Sequence, residues 1–195
     1  MDKKSIIIAV LLCFAASSCM KEKLKTTYNS QEDSIDKYIT NNMYSKRPGV
    51  SEITGSDTTF TDTLRVVHNG GSNRLVLKEG IGEELKPGGK IAFYYAGYTF
   101  KGNKSINNLF TTNRQEIAAE AKWNLTDYQY EIFQIDLSET TLIEGLRKGL
   151  IGVRGGEECE ILFSGKYAFG DIDFGIIPAN SALLYHIWVE AISNE

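Results

Sequence analysis

The stretch from residue 141 to 192 constrains the fold more than any other part of this 195-residue chain. It opens with apolar residues at three- and four-residue steps, Leu142, Leu146 and Leu150, which predict a short helix. Glycines at 145 and 149 allow another backbone to approach that helix closely. An apolar strand is predicted at 159–163, and alternating apolar residues predict a closing strand within 181–192. Together these elements are typical of half of a small α+β domain.

The region before this stretch predicts further antiparallel strands. Residues 64–67 and 75–77 flank an Asn-Gly-Gly turn, and 91–100 forms a strongly apolar strand with aromatic residues on both faces. Residues 102–130 are long and partly polar, with at most a helical turn or two near 117–123. Segments of this length within a compact domain are usually functional or mobile.

Composition excludes several classes of function. The net charge of −4 and a chain that is 42% hydrophobic favour a folded domain and give no reason to expect nucleic-acid binding. The two histidines, His68 and His186, have no partner at metal-ligand spacing, so no metal site is expected.

The N-terminus has the pattern of an export signal. Lys3 and Lys4 precede an apolar run at 6–16 and small residues before Cys19, so residues 1–18 are interpreted as a signal peptide. A cysteine directly after small residues resembles a bacterial lipobox, in which Cys19 is lipidated; ordinary cleavage with Cys19 incidental is the alternative. The remaining Cys159 is then unpaired, and its strand position predicts a buried thiol.

Between the signal and the domain, residues 19–57 are expected to form a lipidated tether and one short helix. Residues 20–29 are interpreted as a solvated tether, and Ser30 with Asp33 resembles a helix start. Ile35 and Ile39 would then lie on one side of a helix that either docks on the domain or contacts a partner. A loop follows at 44–56, and the domain is expected over residues 58–195, with a long insertion around 102–132.

Four sequence blocks, in order and at consistent spacing, resemble the FKBP-type peptidyl-prolyl cis-trans isomerases. They are Leu142-Ile143-x-Gly145-Leu146-x-x-Gly149-Leu150, then Gly155-Gly156-Glu157, then Tyr167-Ala168-Phe169-Gly170, then Gly175-Ile176-Ile177-Pro178. The resemblance covers about 58–192. It implies an antiparallel curved sheet wrapped around one short helix, with an aromatic-walled pocket between them.

The resemblance also implies the site residues. Those expected to act in catalysis are Tyr95, Phe110, Thr111, Ile143 and Tyr185. Those expected to bind substrate are Phe133, Leu142, Leu146, Phe169, Ile176 and Ile177. Taken singly, aromatic residues that alternate along strands are usually core; their joint match to one set of motifs favours a pocket.

Three departures from the family pattern bear on activity. Thr111 replaces an aspartate beside the pocket, Phe169 replaces a tyrosine whose hydroxyl contacts ligand, and the segment between Phe110 and Phe133 is about a dozen residues longer than in minimal members.

The resemblance implies an isomerase of X-Pro bonds that needs no cofactor and acts on X-Pro-containing polypeptides. The signal-like N-terminus and the lipobox-like Cys19 add the expectation that it lies outside the cytoplasm, held at a membrane through a lipid anchor. Two other functions remain open: a non-catalytic module or holdase that grips proline-containing chains, and a surface lipoprotein that uses the fold only as a scaffold.

Overall fold

The computed structural model describes residues 3–44, 63–139 and 141–195, with side chains from Lys21 onward apart from that of Tyr128. The expected domain start near Thr58 and most of the expected loop at 44–56 lie outside the described residues. Within the described part of the chain, no helix combines the length and apolarity needed to cross a membrane.

Seven antiparallel strands form one sheet. In chain order they are β1 (Arg65–Asn69), β2 (Ser72–Lys78), β3 (Lys90–Thr99), β4 (Leu109–Thr112), β5 (Phe133–Asp136), β6 (Glu158–Phe163) and β7 (Leu183–Ser193). Their order in the sheet is β1-β2-β6-β7-β3-β4, and β5 pairs with the first half of β3. The strands expected at 64–67, 75–77, 91–100, 159–163 and 181–192 are all confirmed.

One short helix, α3 (Glu144–Leu150), packs on one face of this sheet. An added Cβ at Gly145 would lie 2.3 Å from the Phe163 ring, and one at Gly149 would lie 2.3 Å from Ile161. The two glycines therefore let α3 lie directly on β6, as the sequence predicted. This face of the sheet and α3 enclose the main core, which contains the fully buried Cys159.

Burial raises the pKa of the Cys159 thiol well above its usual value. The place of Cys159 in the core confirms the prediction of a buried thiol. A thiol that stays protonated within an apolar core is chemically inert.

A buried arginine holds the end of α3. Arg74, only 2% exposed, donates hydrogen bonds to the carbonyl oxygens of Gly149 (2.7 Å), Ile151 (2.9 Å) and Gly152 (3.0 Å). These carbonyls lie in the last turn of the helix and just after it, where they lack partners within the helix and a cation is favourable. Glu157 lies 3.3 Å from the Arg74 guanidinium, and burial raises the pKa of this carboxyl. Arg74 thus fixes α3 against β2.

The N-terminal helix is longer than predicted. α1 spans Lys3–Met43, so residues 20–29 are helical and the prediction of a tether there, with a helix start at Ser30, was wrong. Lys, Glu and Leu at 21–25 have favourable helix propensity. The hydroxyls of Thr26 and Thr27 each donate a hydrogen bond to the carbonyl oxygen four residues earlier in the helix.

α1 docks on the opposite face of the sheet from α3. Ile35 is fully buried and Ile39 is 5% exposed, within a second core. The Tyr38 hydroxyl donates to Glu160 at 2.8 Å. Docking on the domain was one of the two readings of this helix, and the structure confirms it.

The segment around 102–132 is folded. It contains β4, α2 (Gln115–Glu120) and two short 3₁₀ turns at Ile106–Asn108 and Asp127–Tyr130. Ile117 and Trp123 pack against the second core beside α1. The insertion therefore supplies part of the core that α1 covers.

Candidate functional site

A cavity of about 410 Å³ opens on the face of the sheet that carries α3. Its lining is almost entirely aromatic and aliphatic. The lining residues are Phe93, Tyr95, Phe110, Thr111, Phe133, Leu142, Leu146, Phe169, Phe174, Gly175, Ile176, Ile177 and Tyr185. This volume is in the range of sites that take small molecules or single side chains with their backbone.

One wall is built where β3 pairs with β5. Phe93 and Tyr95 are two residues apart on β3 and therefore point to the same face, and the pairing sets Phe133 opposite Phe93. The Phe133 ring lies 5.5 Å from that of Phe93 and 5.8 Å from that of Tyr95, edge to face in both cases. Such edge-to-face geometry is favourable for aromatic pairs and fixes the ring orientations.

The opposite wall depends on a glycine in β3. Gly97 pairs with Tyr185 on β7 and with Thr111 on β4. A Cβ at this position would lie 2.8 Å from the Phe110 ring and 3.0 Å from the Tyr185 ring. The absence of a side chain at 97 lets Phe110 and Tyr185 meet edge to face, with ring centroids 5.7 Å apart.

The floor is Leu146, which is 4% exposed, with Leu142 beside it at the start of α3. The close packing of Gly145 on Phe163 sets the depth of this floor. Phe163 in turn stacks on the Tyr185 ring at 6.1 Å.

The mouth of the cavity is formed by an exposed apolar loop. Phe169 and Phe174 stack with ring centroids 4.4 Å apart, and Phe174 is 57% exposed. Ile172 and Ile176 are 63% and 73% exposed. Exposed apolar side chains grouped around a cavity are characteristic of a surface that binds another apolar chain.

The polar groups of the cavity lining are hydroxyls. They belong to Thr111, Tyr95 and Tyr185, and burial raises the pKa of Tyr185 above its ordinary range. Among the described residues, no carboxylate, imidazole, thiol or amine lines the cavity, and no cluster of His, Cys, Asp or Glu could hold a metal ion. The site therefore offers desolvation and hydrogen bonding rather than proton transfer by an acid or base.

Most of the side chains expected at the site come together in this cavity. Those that line it are Tyr95, Phe110, Thr111, Phe133, Leu142, Leu146, Phe169, Ile176, Ile177 and Tyr185. Ile143 does not line it: this residue precedes the first turn of α3, packs against the main core, and its carbonyl accepts from Arg147 N. The resemblance implies that a backbone N–H near Ile143 holds the substrate carbonyl, and this role stays a prediction.

Sequence reasoning missed three lining residues. Phe93 shares a strand face with Tyr95, and this alternation could have identified it. Phe174 and Gly175 lie in a loop without periodicity, where no pattern indicates which residues turn toward the cavity.

The structure thus combines a curved antiparallel sheet, the short helix α3 packed on it and an aromatic cavity between them. A sequence model of the FKBP-type peptidyl-prolyl cis-trans isomerases matches residues 82–190, more than half of the chain. The chain belongs to this family.

Individual relatives are distant. FK506-binding protein 1 of Aspergillus oryzae (strain ATCC 42149 / RIB 40) is 21% identical over 117 residues, which cover 60% of this chain and 94% of that protein. Among solved structures, the N-terminal domain of FKBP42 from Arabidopsis thaliana has a TM-score of 0.50 at 15% identity and covers 74% of this chain and 98% of that one. FkpA from Escherichia coli has a TM-score of 0.49 at 16% identity and covers 99% of this chain and 74% of that one. At these identities, structural likeness concerns the fold alone.

Proposed function

We propose that this protein is a peptidyl-prolyl cis-trans isomerase that assists the folding of exported polypeptides at a membrane surface. The observation that carries the proposal is the aromatic cavity, in which the polar side-chain groups are hydroxyls. Membership of the family supports the binding of proline-containing chains.

The chemistry of prolyl isomerisation suits such a cavity. Rotation about the amide faces a barrier of about 18–20 kcal/mol because the planar bond is stabilised by resonance. The twisted transition state has less charge separation than the planar amide, so a dry, apolar environment disfavours the ground state more. This is differential stabilisation without any proton transfer.

In this proposal, each residue of the cavity lining contacts the part of the substrate nearest to it. The proline ring packs on Leu146 against Tyr185, and the edges of Tyr95, Phe110 and Phe133 exclude water from the amide. By resemblance to the family, a backbone N–H near Ile143 donates to the substrate carbonyl.

A second function has an observation of its own in its favour. The exposed rim formed by Ile172, Phe174 and Ile176 offers apolar surface beyond what a proline ring needs. Together with threonine at 111, this rim favours a module that grips proline-containing or unfolded chains without accelerating rotation.

The location of the protein is also a proposal. The charged, apolar and small-residue pattern before Cys19 supports export, cleavage and lipidation of that cysteine. More than one acyl chain at Cys19 would anchor the protein stably, whereas a single chain would not.

An isomerisation assay on short X-Pro peptides tests the enzyme proposal. Wild-type protein is expected to accelerate cis-to-trans conversion, and Tyr185→Ala is expected to lower kcat/KM by about tenfold or more while the protein stays folded, because a large buried wall of the cavity is lost. Tyr44→Ala is the matched control, since Tyr44 is 60% exposed at the end of α1. A wild-type protein that binds the peptide without acceleration would establish the binding module instead.

A further inference from the structure

The N-terminal helix contacts the two ends of the loop that forms the mouth of the cavity. We propose that Gln31 of α1 is a positioning residue for substrate binding, because its amide joins these two ends. The inference deepens the proposed function and rests on the same cavity.

The side-chain amide of Gln31 forms two hydrogen bonds with backbone groups, one through its nitrogen and one through its oxygen. Its Nε2 donates to the carbonyl oxygen of Asn180 at 2.6 Å, and its Oε1 accepts from the N–H of Gly165 at 2.8 Å. These two residues are fifteen positions apart in the chain but lie against one another, since a Cβ at Gly165 would be 2.4 Å from the Asn180 oxygen. Gln31 therefore closes the base of the loop 165–180.

That loop carries a large part of the cavity. Phe169, Phe174, Gly175, Ile176 and Ile177 all line the site and all lie between the two residues that Gln31 joins. The loop tip at 171–176 is exposed, so its position depends on its base and on Ile177, which is buried in the main core. A shift at the base would move an aromatic wall and the rim together.

Further contacts fix the same junction. The Tyr28 hydroxyl donates to the side-chain oxygen of Asn180, a residue held at a φ of +59°, and the Ser164 hydroxyl donates to Glu32 at 3.4 Å. One turn after Gln31, the fully buried Ile35 sets the helix on the sheet. Gln31 is thus held in place by core packing while it reaches the loop.

Loss of the amide would leave the buried Gly165 N–H without its partner. An unsatisfied buried donor is costly, so the base of the loop is expected to open locally to reach water. The consequence is a less ordered rim and weaker substrate binding, with the sheet and α3 unaffected.

The experiment compares the full chain, purified in detergent, with Gln31→Met and Gln31→Ala. Methionine keeps the length and helix propensity of glutamine and removes both hydrogen bonds. Affinity for a tetrapeptide with Leu-Pro at its centre, measured by titration, is expected to fall by about three- to tenfold, the effect of losing a hydrogen bond or two. Amide exchange over 165–180 is expected to accelerate, while exchange over β7 and the melting temperature change little. Asn29→Ala, on the exposed side of the same helix, is the control.

Unchanged affinity and unchanged exchange over 165–180 in Gln31→Met would overturn the proposal. Exchange that rises equally in β7 would also overturn it, because Gln31 would then only stabilise the whole fold. Neither readout requires catalysis, so a protein that binds peptide without isomerising it still tests Gln31. If wild-type protein binds no peptide, exchange over 165–180 decides alone.

Discussion

At the level of single residues, position 111 bears most directly on the proposed isomerase activity. Thr111 lies on β4 beside the cavity, paired with Gly97, where the family resemblance implies an aspartate. A threonine hydroxyl supplies a dipole but no charge, so the site lacks one electrostatic contribution to the transition state.

Thr111→Asp is therefore expected to raise kcat/KM on X-Pro peptides by about tenfold, less than the ~100- to 1000-fold attributed to one fully preorganised polar group, because the new carboxylate lacks evolved partners. Thr40→Asp on the exposed side of α1 is the matched control. Equal or lower activity in Thr111→Asp would show that the charge is irrelevant to rotation in this cavity.

The hydroxyl-only polar lining of the cavity leads to a prediction about pH. Since burial raises the pKa of Tyr185 and no described acid or imidazole lines the site, no group there changes charge near neutrality. We expect kcat/KM to be constant between about pH 6 and pH 8, because burial moves the pKa of Tyr185 further above this interval. A bell-shaped profile, measured on the same peptide across this interval, would point to an acid or base in the mechanism.

Most of the cavity lining was expected from the family resemblance, on strands and in the loop 165–180 alike. Alternation agrees with Tyr95 on the inner face of β3 and Tyr185 on the inner face of β7, whereas α3 carries Leu146 but begins two residues after Leu142. Loop residues such as Phe174 have no such period. Asn180 and Gln31 escaped notice for another reason: their contact joins positions about 150 residues apart, which no local pattern records.

At the scale of elements, α1 and the segment 102–132 are the parts that differ most from expectation. The sequence predicted the apolar stripe at Ile35 and Ile39 but not the helical turns before it, which are polar and carry no stripe. In the structure these turns lie beside the loop 165–180 through Tyr28 and Gln31. These turns are therefore docked on the domain by the polar contacts of Tyr28 and Gln31, and not by an apolar stripe.

The insertion is expected to be indispensable to the fold rather than an appended loop. Lys104 pairs with the buried Glu160 and contacts His186 at 3.0 Å, and Trp123 packs on the second core. Replacing the whole of 104–128 would uncover α1 and the sheet face beneath it.

Ile35→Ala tests the docking of α1. Ile35 is fully buried between the helix and the sheet, so its truncation is expected to lower the free energy of unfolding by about 2–5 kcal/mol. Chemical denaturation provides the measurement, and Thr40→Ala is a control on the exposed side of the same helix. A change below about 0.5 kcal/mol, typical of surface positions, would mean that α1 does not dock in solution.

At the scale of the whole molecule, the cavity and α1 lie on opposite faces of the sheet, and α1 leads back to Cys19. The cavity therefore lies on the face of the sheet that α1 does not cover.

The anchor is tested by Cys19→Ala. The variant is expected to lose acyl labelling and to leave the membrane fraction or accumulate uncleaved, because the modified thiol is absent. Cys13→Ala is the matched control, since that cysteine lies within the segment expected to be removed. Acyl labelling of Cys19→Ala at the wild-type level would place the modification elsewhere.

We propose above that this cavity accelerates rotation about the X-Pro bond. NMR exchange spectroscopy on one Leu-Pro peptide measures it most directly, because binding and the rate of cis-trans exchange are read from the same sample. With catalytic amounts of wild-type protein, exchange cross-peaks between the two isomers are expected on a timescale of seconds or less, whereas the uncatalysed bond takes tens to hundreds of seconds. Chemical-shift changes that report binding, with exchange no faster than in peptide alone, would contradict the claim.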